Sequence, residues 1–291
     1  MSVNLDVETA LPKRRVNPFW FKLKKNPLTL LGLGVLLLIV LSSVFAPLIT
    51  PYDPTKINIV ERFSPPSAEH WFGTDEVGRD IFSRILYGAR LSLGVGVAIV
   101  FAAGLVGTII GCVSGYFGGR LDQLIMRLMD MILAFPSLVL AMALAAVLGP
   151  NLLNAMIAIA IVKIPVYVRL ARAETLALRE KLFVKAAATF GIRPWRIILR
   201  HILPNAVSPV VIQVTLDIGD AILFVATLGF LGLGAQPPTP EWGAMISVGW
   251  KYLLDYWWYP TFPGLALFLA SCGFNLIGDG IRDILDPKAN R

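Results

Sequence analysis

Residues 26–52 read NPLTLLGLGVLLLIVLSSVFAPLITPY, an unbroken run without a formal charge. A helix needs about 20 mainly apolar residues to cross the hydrocarbon core of a bilayer. This run therefore predicts a first membrane-spanning helix, and the rest of the chain can be examined outward from it.

The composition of the whole chain agrees with a membrane environment. Of the 291 residues, 56% are hydrophobic and 15% are charged, whereas soluble domains average roughly 45–50% and about 25%. A soluble enzyme, a disordered chain and a disulfide scaffold are excluded on this ground. The only two cysteines, Cys112 and Cys272, lie in apolar runs and are interpreted as small hydrophobic side chains.

Five further apolar runs predict an all-α, polytopic protein with six transmembrane helices. These further spans are expected at about 91–119, 131–149, 152–168, 206–233 and 256–278. The expected organisation is a cytoplasmic N-terminal segment (1–25), the first helix (26–52), an extracytoplasmic loop (53–90), a five-helix core (91–285) and a cytoplasmic tail (286–291). Within the core, we expect a cytoplasmic loop at 176–204 and an extracytoplasmic loop at 234–255.

The distribution of basic residues predicts the orientation of these helices. Nineteen of the 26 Lys and Arg residues fall before the first span, in alternate loops, or after the last span. Cytoplasmic loops carry the excess of Lys and Arg in membrane proteins, so both termini are predicted to be cytoplasmic. The net charge of +7 is interpreted as this bias, and no nucleic-acid partner is expected.

The predicted cytoplasmic loop is the most informative segment, and its sequence at 176–205 is LALREKLFVKAAATFGIRPWRIILRHILPN. It is too polar to span a membrane. A short helix is expected at 181–190, ended by Gly191, with a second short helix beginning at Pro194. Its chemistry fits either a helix that docks in a groove of another protein or an amphipathic helix on anionic lipid.

The spacing within this loop resembles the EAA loop of ABC-importer permeases. Lys185-Ala186-Ala187 is followed by Gly191 and then by Ile202-Leu203-Pro204. Further strings resemble the C-type permease subunits of the dipeptide, oligopeptide and nickel importers, namely HWFGTD (70–75), GRD (78–80), RHILPN (200–205), GFLGLG (229–234) and GDGIRD (278–283). The chain departs from the pattern at Lys185, where the family has Glu.

The resemblance implies the type I ABC-importer permease fold and a subunit that translocates di- or oligopeptides. The implied partners are a B-type permease in a heterodimer, two cytoplasmic ATPases, an extracytoplasmic substrate-binding protein and the lipid bilayer. No cofactor is expected in this chain, which contains no G-x-x-x-x-G-K-[S/T] phosphate loop; the ATPase partners would use ATP and Mg²⁺. A catalytic site is not expected.

Three sets of candidate site residues follow. The ATPase-coupling set is Leu182, Phe183, Lys185, Ala186, Ala187, Phe190, Gly191, Leu203 and Pro204. The translocation-pathway set is Lys163, Asp217 and Asp220, because charges inside a span are costly and usually face a cavity or the bundle interior. A Lys163–Asp217 ion pair is expected, either lining the pathway or acting as a structural brace. The set for docking of the binding protein is Trp71, Asp75, Arg79, Asp80 and Trp242, although the loop tryptophans also fit an aromatic belt at the membrane interface.

Other functions remain as alternatives. In the first alternative, the ABC importer carries nickel, glutathione or another small solute instead of peptides. In the second, the protein is a secondary transporter whose charged residues within the spans couple transport to the movement of an ion. The chain shows no visible inverted repeat, which disfavours the secondary transporter. Two histidines without a metal-binding spacing or a nucleophile motif disfavour a membrane enzyme.

Overall fold

A computed structural model describes residues 26–285, and the regular secondary structure of this range is helical. The eleven α-helices in this range are α1 (Pro27–Val44), α2 (Ala46–Ile49), α3 (Ile81–Phe117), α4 (Gly119–Leu133), α5 (Ser137–Leu148), α6 (Leu152–Arg179), α7 (Leu182–Thr189), α8 (Pro194–Ile197), α9 (Leu203–Phe230), α10 (Trp242–Trp250) and α11 (Trp258–Leu285). A 3₁₀ turn at Ile59–Glu61 and a π-helical turn at Ile198–Ile202 complete the helical structure of this range. The segments 1–25 and 286–291, predicted to be cytoplasmic, lie outside the described residues.

Five helical stretches are long and apolar enough to cross a bilayer: α1, α3, α6, the stretch Pro194–Phe230 that runs from α8 through the π-helical turn to the end of α9, and α11 over Trp258–Asp283. A sixth span is possible if α4 and α5 together count as one. The expected all-α bundle of up to six spans is therefore confirmed within the described range.

The third span differs from the prediction. A continuous helix was expected over 131–149, but α4 and α5 meet at an angle of 92°. Pro136 lies in the break, directly before α5. A proline removes a backbone donor and clashes with the preceding turn of a helix, so α4 cannot continue through this position as a regular helix. Hydropathy detected the apolar half of this pair, and the polar half was assigned to a loop.

Two other boundaries are corrected. Helix α3 begins at Ile81, inside the predicted loop 53–90, and α6 continues to Arg179, inside the predicted loop 176–204. Charged residues such as Arg84 and Arg90 lower the hydropathy of the first turns of α3. Their guanidinium groups donate to the backbone oxygens of Pro54 and Ser43, respectively, so that the helix tolerates them.

Helices α3 and α6 form the most intimate helix pair of the bundle. Glycines 107, 111 and 115 recur every four residues on the face of α3 that meets α6. A methyl group on Gly107 would lie only 2.5 Å from Cβ of Tyr167, and one on Gly111 only 2.5 Å from the backbone oxygen of Val168. Small residues allow the backbones of membrane helices to approach closely, so the glycine pattern sets this close packing.

Helix α9 packs against α3, α6 and α11, and α11 also packs against α1. The contact between α1 and α11 again uses glycine, with Gly32 against Leu276 and Gly273 against Leu36. The charged residues predicted within the spans therefore lie on α6 and α9, two neighbouring helices at the centre of the chain.

Candidate functional site

Residues 51–80, called here the polar cap, fold back onto the first turns of α3. His70 lies between two carboxylates, with Nδ1 2.9 Å from Asp80 and Nε2 3.3 Å from Glu61. Asp80 also caps α3, because its carboxylate accepts hydrogen bonds of 2.7 Å from both the backbone N–H and the hydroxyl of Ser83. Side-chain capping satisfies a backbone donor that the helix itself leaves unpaired. The polar cap and α3 are thus joined by buried polar contacts.

A second buried cluster holds the middle of the polar cap. Nε of Arg79 donates to Asp75 at 2.6 Å, and Arg84 of α3 lies 3.6 Å from the same carboxylate. Asp75, Arg79 and Arg84 are all buried. The hydroxyl of Tyr259 on α11 donates to Glu76, so this cluster also connects the cap to the last long helix.

The structure places most of the residues expected to dock a binding protein inside the chain. Asp75, Arg79, Asp80 and Trp242 are buried, whereas Trp71 is exposed. The indole N–H of Trp242 donates to the backbone oxygen of Ile85 at 3.1 Å, deep between α10 and α3. Four of the five side chains therefore stabilise the protein internally, because their charges and hydrogen-bonding groups are already partnered inside the chain.

The charged residues within the spans come together between α6 and α9. Nζ of Lys163 is hydrogen-bonded to Asp220 and lies 3.9 Å from Oδ1 of Asp217. The hydroxyl of Tyr167 donates to Asp217 at 2.7 Å, and the amide of Gln213 donates to the same carboxylate at 3.2 Å. These five residues form a continuous polar seam, called here the α6–α9 seam.

The expected Lys163–Asp217 ion pair is present at 3.9 Å, and Asp220, hydrogen-bonded to Nζ, is the closer partner of Lys163. Asp217 and Asp220 are three residues apart on one face of α9. Their predicted depths in the membrane are too similar to tell which of them lies nearer to Lys163. The antiparallel register places Tyr167 opposite Asp217, one turn from Lys163. Tyr167 was missed, although its position four residues after Lys163 puts both on one face of α6.

Residues 180–202, called here the short-helix segment, begin where α6 ends. The N–H of Ile192 donates to the carbonyl of Ala187, and that of Gly191 donates to Ala188. These two bonds and the positive φ of Gly191, +75°, form a Schellman motif that ends α7. Pro194 starts α8 as the first helical residue. The expected helix–glycine–proline pattern is confirmed.

The surface of the short-helix segment carries large apolar side chains among its basic residues. Leu182 and Phe190 are each 85% exposed, and Phe183 is also exposed. In contrast, Val184 and Ala187 are buried against the chain. Ala187 therefore faces inward, whereas Ala186 lies on the exposed side with the apolar side chains.

Lys185, at the position where the family pattern has Glu, points outward and forms an ion pair with Glu180 at 2.8 Å. The hydrogen bond from Lys185 holds the pKa of Glu180 below its ordinary value. Leu203 and Pro204 begin α9 directly after the π-helical turn. Because Pro204 has no N–H to donate to the carbonyl one turn earlier, a regular α-helical turn cannot form there.

No group of three or more His, Cys, Asp or Glu side chains within residues 26–285 is arranged to hold a metal ion. The groups described above are a hydrogen-bonded polar cap, a polar seam within the spans and an exposed apolar segment. Together with the long apolar helices, they are typical of a polytopic helical membrane protein.

Comparison with known proteins identifies the family. Residues 107–291, more than half of the chain, match the model of the binding-protein-dependent transport system inner membrane component. Residues 17–66 match the N-terminal transmembrane domain of oligopeptide transport permease C. The chain therefore belongs to the binding-protein-dependent inner membrane components of ABC importers and is a permease subunit of the bacterial inner membrane. Such a subunit works with ATPase and substrate-binding partners.

Several curated relatives are similar over nearly the whole chain. A protein of Escherichia coli K12 named as a probable D,D-dipeptide transport system permease is 56% identical over 92% of this chain and 90% of its own length. A dipeptide transport system permease of Alkalihalophilus pseudofirmus is 51% identical over 92% and 88%. A glutathione transport system permease of Escherichia coli strain 536 is 44% identical over 93% and 89%.

Proposed function

We propose that this permease subunit translocates short peptides, delivered by an extracytoplasmic binding protein, through a pathway that it shares with a B-type permease. The observation that carries this proposal is the identity of 56% and 51%, over 92% of the chain, to permeases named for dipeptide transport. Two cytoplasmic ATPases would bind ATP and Mg²⁺ and supply the energy, so that this chain has no catalytic role of its own.

The proposed orientation places both termini and the short-helix segment in the cytoplasm and the polar cap outside. It rests on the positive-inside bias, and the short-helix segment itself carries Lys181, Lys185, Arg193, Arg196 and Arg200. Because α6 and α9 enter and leave this segment directly, a displacement of it would move both helices of the α6–α9 seam.

The exposed apolar side chains support docking of the short-helix segment on an ATPase subunit. Leu182, Phe183 and Phe190 present exposed apolar area on a segment whose inner face, with Val184 and Ile197, is buried against the chain. A helix with exposed apolar side chains can bind in a hydrophobic groove of a partner protein. In this proposal, Lys185, Ala186 and Gly191 lie at the rim of the contact, while Ala187, Leu203 and Pro204 support the segment from behind.

For the binding protein, we propose contact with the exposed apolar part of the polar cap. Trp71, Ile59 and Val60 are exposed there, Val60 almost completely. Aromatic residues are enriched in the cores of protein interfaces. The buried cluster of Asp75, Arg79 and Asp80 would hold this surface in shape.

The test is reconstitution of the permease with its B-type partner, its ATPases and its binding protein in proteoliposomes. We expect ATP-dependent uptake of a labelled dipeptide, and no uptake when the ATPase subunits cannot hydrolyse ATP. Uptake that persists without hydrolysis would favour the ion-coupled alternative. Failure of a second permease and the ATPases to co-purify with this chain would contradict the assembly.

Glutathione is the second candidate substrate, because a relative named for glutathione transport is 44% identical to this chain. Competition separates the two. An excess of unlabelled dipeptide should abolish uptake of the labelled dipeptide, whereas glutathione at the same concentration should leave most of it. Stronger competition by glutathione would reverse the order of the candidates.

A further inference from the structure

The charges of the α6–α9 seam do not balance. Two carboxylates, Asp217 and Asp220, share a single cation, Lys163. Tyr167 and Gln213 donate hydrogen bonds to Asp217, but neither carries a positive charge. An unpaired charge within a membrane span is costly and marks functional positions in membrane proteins. The seam is therefore one positive charge short.

Exposure shows which carboxylate is available to a further cation. The side chain of Asp220 is 49% exposed, whereas those of Lys163 and Asp217 are 11% and 14% exposed. Asp217 accepts hydrogen bonds from Tyr167 and Gln213 and has Lys163 at 3.9 Å, whereas Asp220 has Lys163 as its partner and leaves about half of its side chain exposed. A cation arriving from outside this chain would meet Asp220 first.

The position of Lys163 allows it to release Asp220 without becoming unpaired. Its Nζ is bonded to Asp220 and is already 3.9 Å from Oδ1 of Asp217. A shift of about one ångström toward Asp217 would give an ordinary charge-assisted hydrogen bond. The ring of Phe224, 5.0 Å from Nζ, supplies a further favourable contact for the ammonium group.

The seam also borders open space. A cavity of about 420 Å³ lies beside it, lined by Leu133, Val166, Arg169, Leu170 and Gln213. Gln213 belongs both to this cavity and to the seam, through its hydrogen bond to Asp217. A polar solute in the cavity would thus be adjacent to the Gln213–Asp217 end of the seam, and Arg169, the cation that also lines the cavity, is already paired with Asp130.

We propose that Asp220 receives the N-terminal ammonium group of the transported peptide, while Lys163 moves from Asp220 to Asp217. This inference rests on the proposed import of peptides. With the peptide bound, two cations face two carboxylates, and without it Lys163 neutralises Asp220. An arrangement with a second acceptor for Lys163 suits a cation that comes and goes better than a fixed basic residue of the partner permease.

The experiment uses the complete transporter in proteoliposomes, with alanyl-alanine at a concentration that saturates the binding protein. Asp220→Asn should lower uptake at least tenfold, while ATPase activity and co-purification of the B-type permease are unchanged. Asp220→Glu should retain part of the uptake. Asp255→Asn, which changes an exposed carboxylate outside the long helices, is the matched control and should transport normally.

Two further measurements separate substrate binding from a structural role. Adding Lys163→Met to Asp220→Asn removes both charges, and restored uptake would show that the pair is only a brace. An alanyl-alanine analogue with a hydroxyl in place of the ammonium should enter the wild type at least tenfold more slowly than alanyl-alanine, and Asp220→Asn should change its uptake less than twofold. Equal uptake of both compounds by the wild type would overturn the inference.

The remaining outcomes are also decisive. Loss of the B-type permease from the Asp220→Asn complex would assign Asp220 to a cation of that partner. Normal import of alanyl-alanine by Asp220→Asn would overturn the inference and leave the proposed function intact. If the wild type itself imports no dipeptide, the proposed function fails, and this inference fails with it.

Discussion

The polar cap and the short-helix segment differ in which kind of side chain they bury and which kind they expose. In the polar cap, polar and charged residues are buried in pairs, His70 with Asp80 and Arg79 with Asp75. In the short-helix segment, large apolar residues such as Leu182 and Phe190 are exposed. The charged side chains of the polar cap are thus satisfied within the chain, whereas large apolar side chains of the short-helix segment stay exposed in the part of the chain that the structure describes. Polarity alone does not tell which residues of a permease meet other subunits.

The strongest test of this contrast is to place charges on the apolar surface. Combining Leu182→Asp with Phe190→Asp should lower ATP-dependent uptake at least tenfold, because desolvating a carboxylate at an apolar interface is costly. Uptake and co-purification of the ATPases are the measurements. Helix content by circular dichroism should not change, since both side chains are already exposed.

The matched control combines Leu182→Met with Phe190→Leu. It keeps the apolar character of the surface and should transport nearly as well as the wild type. Normal uptake by the double aspartate variant would mean that this surface is not the contact with the ATPase.

The next largest effect is expected inside the polar cap. Asp80→Ala removes both the cap of α3 and the hydrogen-bond partner of His70. Losing a helix cap costs about 1 kcal/mol, and leaving a buried hydrogen-bonding group unsatisfied costs about 1–3 kcal/mol. Thermal unfolding of the purified protein in detergent should shift to a lower temperature. Asp53→Ala, at an exposed cap residue bonded only to its neighbour Thr55, should leave the transition nearly unchanged. Equal shifts in the two variants would contradict the buried network.

The smallest effect compares two glycines that both face open space. Gly191→Ala should destabilise the end of α7 by about 1 kcal/mol, because a side chain is strained at its φ of +75°. Gly34→Ala, inside α1 and also without neighbours, should be neutral or stabilising because alanine favours a helix. Hydrogen exchange of α7 and thermal unfolding measure the two changes. An equal loss of stability in Gly34→Ala would contradict the explanation that the positive φ of Gly191 causes the effect.

Local patterns in the sequence predicted much of this architecture. The charge-free run of α1 and the glycine and proline that delimit α7 and α8 act over a few residues, so that spacing alone reveals them. The apolar runs of α6, α9 and α11 were also located, although their ends moved by up to 11 residues.

Features that depend on residues distant in the sequence could not be predicted. The start of α3 was misplaced because Arg84 and Arg90 look like loop residues until the backbone oxygens that receive them are known. The choice of Asp220 over Asp217 depends on the register of two antiparallel helices. The burial of Asp75 and Arg79 follows from the return of the polar cap onto α3, and no local pattern encodes that return.

Helix α3 has a mechanical consequence. Its 37 residues make a rod about 55 Å long, longer than a bilayer with its headgroups, which measures about 40–45 Å. Buried hydrogen bonds and ion pairs attach the polar cap to the first turns of α3. The glycine contact with α6 lies toward the last turns of α3. A tilt of about 5° around the middle would displace either end by about 2 Å. If the short-helix segment displaces α6, the close contact between α6 and α3 would tilt α3. The polar cap, at the other end of α3, would then move on the opposite side of the membrane.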